Sequence, residues 1–127
     1  MPTQPSAHIA YELIKEPPAV IVEFRSHAIA DPEHAAELGQ QLSALIRPEL
    51  PNHYILDFTK VRSFTSTAFG ALVTFVIRVR KSGGLVLICN MEEFVRFGAD
   101  VIRLGDYAPI TASRQAALDR LENGEQT

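Results

Sequence analysis

Three short apolar runs, AVIVEF (19–24), HYILDF (53–58) and LVLIC (85–89), are each followed by a stretch whose apolar residues recur with the helical period. Runs of five or six β-prone residues are strand-length, and one without a polar face must be covered on both sides. Parallel neighbours need a crossover to bring the chain back, and the intervening periodic segments supply it. The alternation therefore predicts helices packed on a mixed, mostly parallel sheet.

The remaining elements extend this pattern. HIAYELIK alternates Ile9, Tyr11 and Leu13 with Ala10 and Glu12, and the break at Pro17-Pro18 makes it an edge hairpin with AVIVEF. Asp31 before Pro32 reads as a helix start, with Ala35, Leu38, Leu42, Leu45 and Ile46 on one face, Arg47 in the last turn and Pro48 as the stop. A second helix is predicted from about Thr67 to Lys81, closed by Ser82-Gly83-Gly84 through a left-handed cap. A third spans about Glu92 to Leu104, with Arg103 in its last turn and Gly105 as its end. Tyr107 to Thr111 is a short strand candidate, and Ser113 caps a last helix carrying Ala117, Leu118 and Leu121. The predicted order is β-β-α-β-α-β-α-(β)-α: four to five strands, about four helices, and one α/β domain over residues 1–127, with a core at about 8–122 and frayed ends.

Composition narrows the function. A net charge of −3 and dispersed basic residues argue against a broad nucleic-acid surface. No apolar run reaches the roughly 18 residues of a membrane span, and the opening MPTQPSAH lacks the order of a signal peptide. With a single cysteine, Cys89, no internal disulfide can form, and a cytoplasmic setting is expected. Cys89 at the end of a buried strand reads as a small core residue.

No phosphate-binding glycine loop and no nucleophile elbow is present. The histidines His8, His27, His34 and His53 are scattered and sit in no recognisable motif. His27, Asp31 and His34 around a helix start have a spacing that arises easily by chance, and an ordinary solvated loop accounts for it better than a metal; no metal or cofactor is expected. Arg78, Arg80 and Lys81 end a helix, where cations complement the macrodipole, and Arg80 falls near the apolar face. An enzyme is not expected.

The run VRSFTSTAFG (61–70) is the exception to this ordinary pattern. Hydroxyl residues ahead of an apolar helical segment are N-caps, and Thr65 or Ser66 would serve. One hydroxyl suffices for a cap, whereas four cluster here between a central strand and its helix. Loops at the carboxyl ends of strands are where α/β sheets bind ligands and partners, and a helix start favours an added phosphate. The residues alone leave cap and phosphoacceptor both open.

LDFTKVRSFTSTAFGALV resembles the signature of the STAS family, of the anti-sigma factor antagonist type. Asp57 corresponds to the strand-end acid, Val61 and Phe64 to the apolar positions, Ser66 to the phosphorylated serine and Thr67 to its hydroxyl neighbour; Phe69 and Gly70 form the closing apolar-Gly step. Thr65 stands where the family usually has Asp, and Ala68 where it usually has Gly. The likeness continues through SGG before LVLICN, EEFVRFGADVIRLGDYAPI and SRQAALDRL.

The resemblance implies a non-enzymatic bacterial regulator of transcription. It would bind an anti-sigma factor of the serine kinase type and be switched by phosphorylation at Ser66, with kinase activity, ATP and Mg²⁺ belonging to the partner. The implied partner-binding set is Asp57, Thr65, Ser66, Thr67, Ala68 and Gly70. The wide apolar band that Phe75 and Ile77 add to the second helix reads first as packed under neighbouring helices; the alternative is an interface, as in a phosphorylation-independent accessory or scaffold subunit of a transporter or signalling complex. Neither role calls for nucleic acid or membrane insertion, and a homodimer is left open.

Overall fold

The computed structural model describes residues 8–123; the expected frayed ends, including the opening MPTQPSA and the GEQT tail, lie outside the described residues. Strands β1 (Ile9–Lys15) and β2 (Pro18–Phe24) form the predicted antiparallel hairpin, in register from Ile9 opposite Phe24 to Lys15 opposite Pro18. The short strand β3 (Ala28–Ile29) leads into α1 (Pro32–Ser43). Strand β4 (His53–Asp57), strand β5 (Ser63–Phe64) and α2 (Ser66–Lys81) follow. The chain closes with β6 (Leu85–Cys89), α3 (Glu93–Val101), a 3₁₀ turn (Leu104–Asp106), β7 (Ile110–Thr111) and α4 (Arg114–Glu122).

The main sheet has the order β1-β2-β4-β6-β7, antiparallel only at β1–β2 and parallel elsewhere. The apolar runs at 53–57 and 85–89 thus become interior strands with both faces covered, as their lack of alternation requires. On one face Val20, Val22, Tyr54, Leu56, Val86 and Ile88 meet α1, α2 and α3 in the larger core. On the other, Ile21, Ile55, Leu87 and Cys89 pack beneath Ala117 of α4. No helix among the described residues is long and apolar enough to cross a membrane.

Helix ends follow local chemistry, with two departures from expectation. Asp31 caps α1, its Oδ1 accepting the His34 amide at 2.8 Å, and proline occupies the first turn as predicted. The helix stops at Ser43, before Pro48, because Leu45 and Ile46 bond three residues back and tighten the turn. The Leu45 carbonyl is then taken by the buried Tyr54 hydroxyl at 3.0 Å. Arg47 therefore lies beyond the helix and donates to the Tyr11 hydroxyl at 3.1 Å.

Helix α3 likewise ends at Val101, short of Leu104. Arg103 adopts a left-handed conformation (φ 58°), and the turn it starts delivers Leu104 into the core. At the end of α2 the left-handed Gly83 (φ 88°) is as predicted, and a Cβ on Gly84 would lie 1.9 Å from the Asn52 carbonyl oxygen. Exposed Arg80 donates to the Tyr107 carbonyl at 3.1 Å, and Arg78 reaches the Ser43 hydroxyl, tying α2 to α1.

Candidate functional site

The segment from Phe58 to Thr65 connects the carboxyl end of the central strand β4 to α2, and it is held at both its edges and its middle. Phe58 and Val61 are fully buried. Phe64 stacks edge-on against Phe24, Phe58 and Phe69, with ring centroids 5.9, 5.3 and 4.8 Å away. The His27 carbonyl accepts the Arg62 and Ser63 amides at 2.7 and 3.1 Å, and β5 pairs in parallel with β3. Two-residue strands carry no period, so this pair leaves no pattern to read. A hydroxyl-rich stretch is in this way held rigidly between the aromatic core and the β2–α1 connection.

Of the two candidate caps, Thr65 performs the role. Its Oγ1 accepts the Ala68 amide at 3.3 Å and donates to the Ile29 carbonyl at 3.3 Å, while its own amide donates to the same carbonyl at 3.2 Å. Ser66 is released from capping. It is the first residue of α2, exposed, and its hydroxyl takes no hydrogen bond among the described residues. The first intrahelical bond runs from the Phe69 amide to the Thr65 carbonyl at 2.9 Å, so the Ser66 and Thr67 amides precede it. No acidic residue lies in the first turn, and Lys60 and Arg62 are exposed on the preceding connection. An anion on Ser66 would meet free amides and the positive end of the helix dipole, with no carboxylate in that turn to oppose it.

The eight residues expected to meet a partner divide by burial. Ser66, Thr67, Gly70 and Ile77 are exposed and Thr65 is half-buried. Asp57, Ala68 and Phe75 are not on the surface, which corrects their assignment as direct contacts. The Ala68 methyl points into the larger core, and Phe75 packs edge-on against Tyr54 at 5.1 Å.

Asp57 instead organises the end of the sheet. Its Oδ1 accepts from the Thr59 amide and hydroxyl at 3.0 and 2.5 Å and from Asn90 at 3.1 Å; its Oδ2 accepts from Arg114 at 2.8 Å. Burial alone would raise its pKa, but the bonds from Thr59, Arg114 and Asn90 outweigh burial and hold it below the usual carboxylate range. Neither Asn90 nor Arg114 was singled out from the sequence; a single Arg at a helix start, far along the chain, carries no local signal. Burial, with the Asp57 charge beside it, pushes the Cys89 thiol up to about 12, as suits an inert core residue.

Ser66 also stands on the rim of a mostly apolar cleft of about 550 Å³ between α2 and α3, whose lining includes Phe69, Val73, Phe97, Val101 and Leu104. The sequence reading missed this cleft because α3 reads as an ordinary amphipathic helix. The scattered histidines partly converge elsewhere. The His8 and His34 rings lie 5.2 Å apart, His8 bonded to Glu37 at 3.0 Å and His34 to Asp31 at 3.2 Å. His27 remains an exposed residue whose carbonyl serves the connection described above.

A family model described as the STAS domain matches residues 12–117. No curated protein sequence matches the chain. Among solved structures, a putative anti-sigma factor antagonist from Thermotoga maritima superposes with a TM-score of 0.74 at 17% identity, covering 91% of this chain and 95% of that one. The phosphorylated form of SpoIIAA, a Bacillus cell fate determinant, gives 0.67 at 16% identity, covering 89% and 98%. The murine anion transporter Slc26a9 gives 0.64 at 15% identity, covering 84% of this chain but 18% of the transporter. At these identities the structures support the fold, a single domain with a mixed five-stranded sheet and four helices.

Proposed function

Since the chain belongs to the STAS domain family, we propose that it is a protein-binding regulator of the anti-sigma factor antagonist type, switched by phosphorylation of Ser66. The observation that carries this reading is the position of that hydroxyl. Thr65 caps α2, which leaves Ser66 exposed and without a hydrogen-bond partner among the described residues, at a helix start free of acids.

The unphosphorylated face offers Ser66, Thr67 and Gly70 to an anti-sigma factor of the serine kinase type. The partner supplies ATP and Mg²⁺. The γ-phosphoryl group passes to Ser66 Oγ, ADP leaves, and the hydroxyl proton goes to a base of the partner. The product carries about −1.5 to −2 charges at neutral pH. At the helix start this charge is tolerated by the domain itself, but in the interface it must be desolvated, so the complex weakens. Thr65 in place of the family's usual Asp removes a carboxylate next to the modified serine. The domain performs no chemistry of its own, and a bacterial cytoplasm is the setting in which such a partner operates. Incubation with a serine-kinase-type anti-sigma factor and ATP, read by intact mass and site mapping, should modify the wild type and leave Ser66→Ala unmodified; modification only elsewhere would refute the assignment.

A second reading, a phosphate-independent accessory or scaffold subunit, draws support from the likeness to the anion transporter over most of this chain. With Phe75 in the core, such an association would use Ile77 without it. This reading predicts equal partner affinity with and without phosphate at Ser66.

A further inference from the structure

Helix α3 turns a substantial part of its apolar surface outward. Phe94, Phe97 and Val101, spaced three and four apart on one face, are 72%, 70% and 67% exposed, while only Val95 and Ala99 of this helix are buried. An amphipathic helix ordinarily directs such residues to the core. Beside this ridge runs the cleft between α2 and α3, floored by Phe64, Phe69 and Leu104. Gly98 gives it depth, since a Cβ there would lie 3.0 Å from the Phe69 ring. A smaller hollow of about 170 Å³ extends it past Ile77 and Tyr107.

We propose that this face is a two-fold interface between two copies of this chain, with the Phe94–Phe97–Val101 ridge of each seated in the α2–α3 cleft of the other. Three observations favour a second copy as occupant. A ridge and a groove of like apolar character lie side by side, which is what an isologous contact requires of one surface. The polar edge carries both signs, with Arg96–Asp100 at 3.2 Å and Arg103–Asp106 at 3.0 Å paired and only Glu92 and Glu93 at the helix start outside those pairs, so no dense cluster of one sign selects a strongly charged partner. The exposed parts of Phe94, Phe97, Val101, Ile102, Tyr107 and Ile77 together offer roughly 600 Å² per copy. Two copies would then bury about 1,200 Å², the lower end for a specific interface, and the roughly 600 Å² on each copy is at the top of the range for a monomer's largest apolar patch. Because Ser66 lines the same cleft, dimer and anti-sigma partner compete for one face; this last step rests on the proposed switch, while the dimer itself does not.

Sedimentation of the full chain over a wide concentration range tests the interface without any kinase or nucleotide, so its outcome is separable from that of the Ser66 reading. The wild type should show a monomer–dimer equilibrium. Phe97→Glu and Val101→Glu should each weaken it at least about tenfold, with circular dichroism unchanged and, at a dilution where the wild type is monomeric, the same melting temperature, because both side chains start exposed. Phe94→Lys is a third variant should either acidic change disturb folding. A wild type that stays monomeric throughout, or variants that dimerise like it, would overturn the proposal. So would a monomer whose variants lose only an anti-sigma partner, since that result assigns the face to the partner.

Discussion

The Asp57 carboxylate accepts a 2.8 Å hydrogen bond from the Arg114 guanidinium, joining the end of the central strand to the first turn of the last helix. Ala117 is the one fully buried residue of α4, with Leu118 and Leu121 partly buried against the same cluster, and this bond adds a polar tie at the start of the helix. Asp57→Asn should cost about 1–3 kcal/mol in urea denaturation, the range for a buried charged hydrogen bond with one partly exposed partner. Arg114→Met should cost less, since Asp57 keeps its bonds from Thr59 and Asn90.

The same carboxylate sets an acid limit. Its folded pKa is held below its unfolded value, so its stabilising contribution is complete above the ordinary carboxylate range, near pH 4, and fades as pH falls through the folded value. Denaturation midpoints measured from neutral pH downward should fall less steeply at low pH in Asp57→Asn than in the wild type. Parallel profiles would show that other groups govern acid unfolding.

Two glycines should respond oppositely to alanine. At Gly84 the new methyl would collide with the Asn52 carbonyl, and a loss of about 2–3 kcal/mol is expected. At Gly70, exposed within α2 with no atom within 4 Å of a Cβ, helix propensity should raise stability by about 0.5–1 kcal/mol. Thermal denaturation of both variants reads this contrast directly.

Thr65→Ala removes the cap of α2 and the bond to Ile29, and should cost about 1–2 kcal/mol by chemical denaturation. Thr65→Asp keeps an acceptor for the Ala68 amide and should stay within about 0.5 kcal/mol of wild type. Equal losses in both would place the contribution of Thr65 outside capping.

Much of this architecture was legible because its signals are local. Unbroken apolar runs marked the interior strands, and Asp31-Pro32, Ser82-Gly83 and Ser113 marked helix ends, each through a contact spanning a few residues. What escaped depends on distance along the chain. Arg114 meets Asp57 from the opposite end of the domain, and His8 finds Ser26 and Glu37 only after the hairpin forms. The helical period of 66–81 shows an apolar band but not which part of it neighbours cover, so it leaves Phe75 open between core and interface until Tyr54 is seen to pack on it. At VRSFTSTAFG the hydroxyls stood out, but assigning the cap to Thr65 and leaving Ser66 unengaged required the Ile29 carbonyl to be in place.

The central claim, a phosphate switch at Ser66, is tested most directly by calorimetric titration of an anti-sigma partner with Ser66→Ala and Ser66→Asp. The alanine variant should bind within about threefold of the wild type, and the aspartate variant at least about tenfold more weakly, a difference of about 1.4 kcal/mol. Equal affinity of the two variants would contradict the switch and favour a constitutive scaffold.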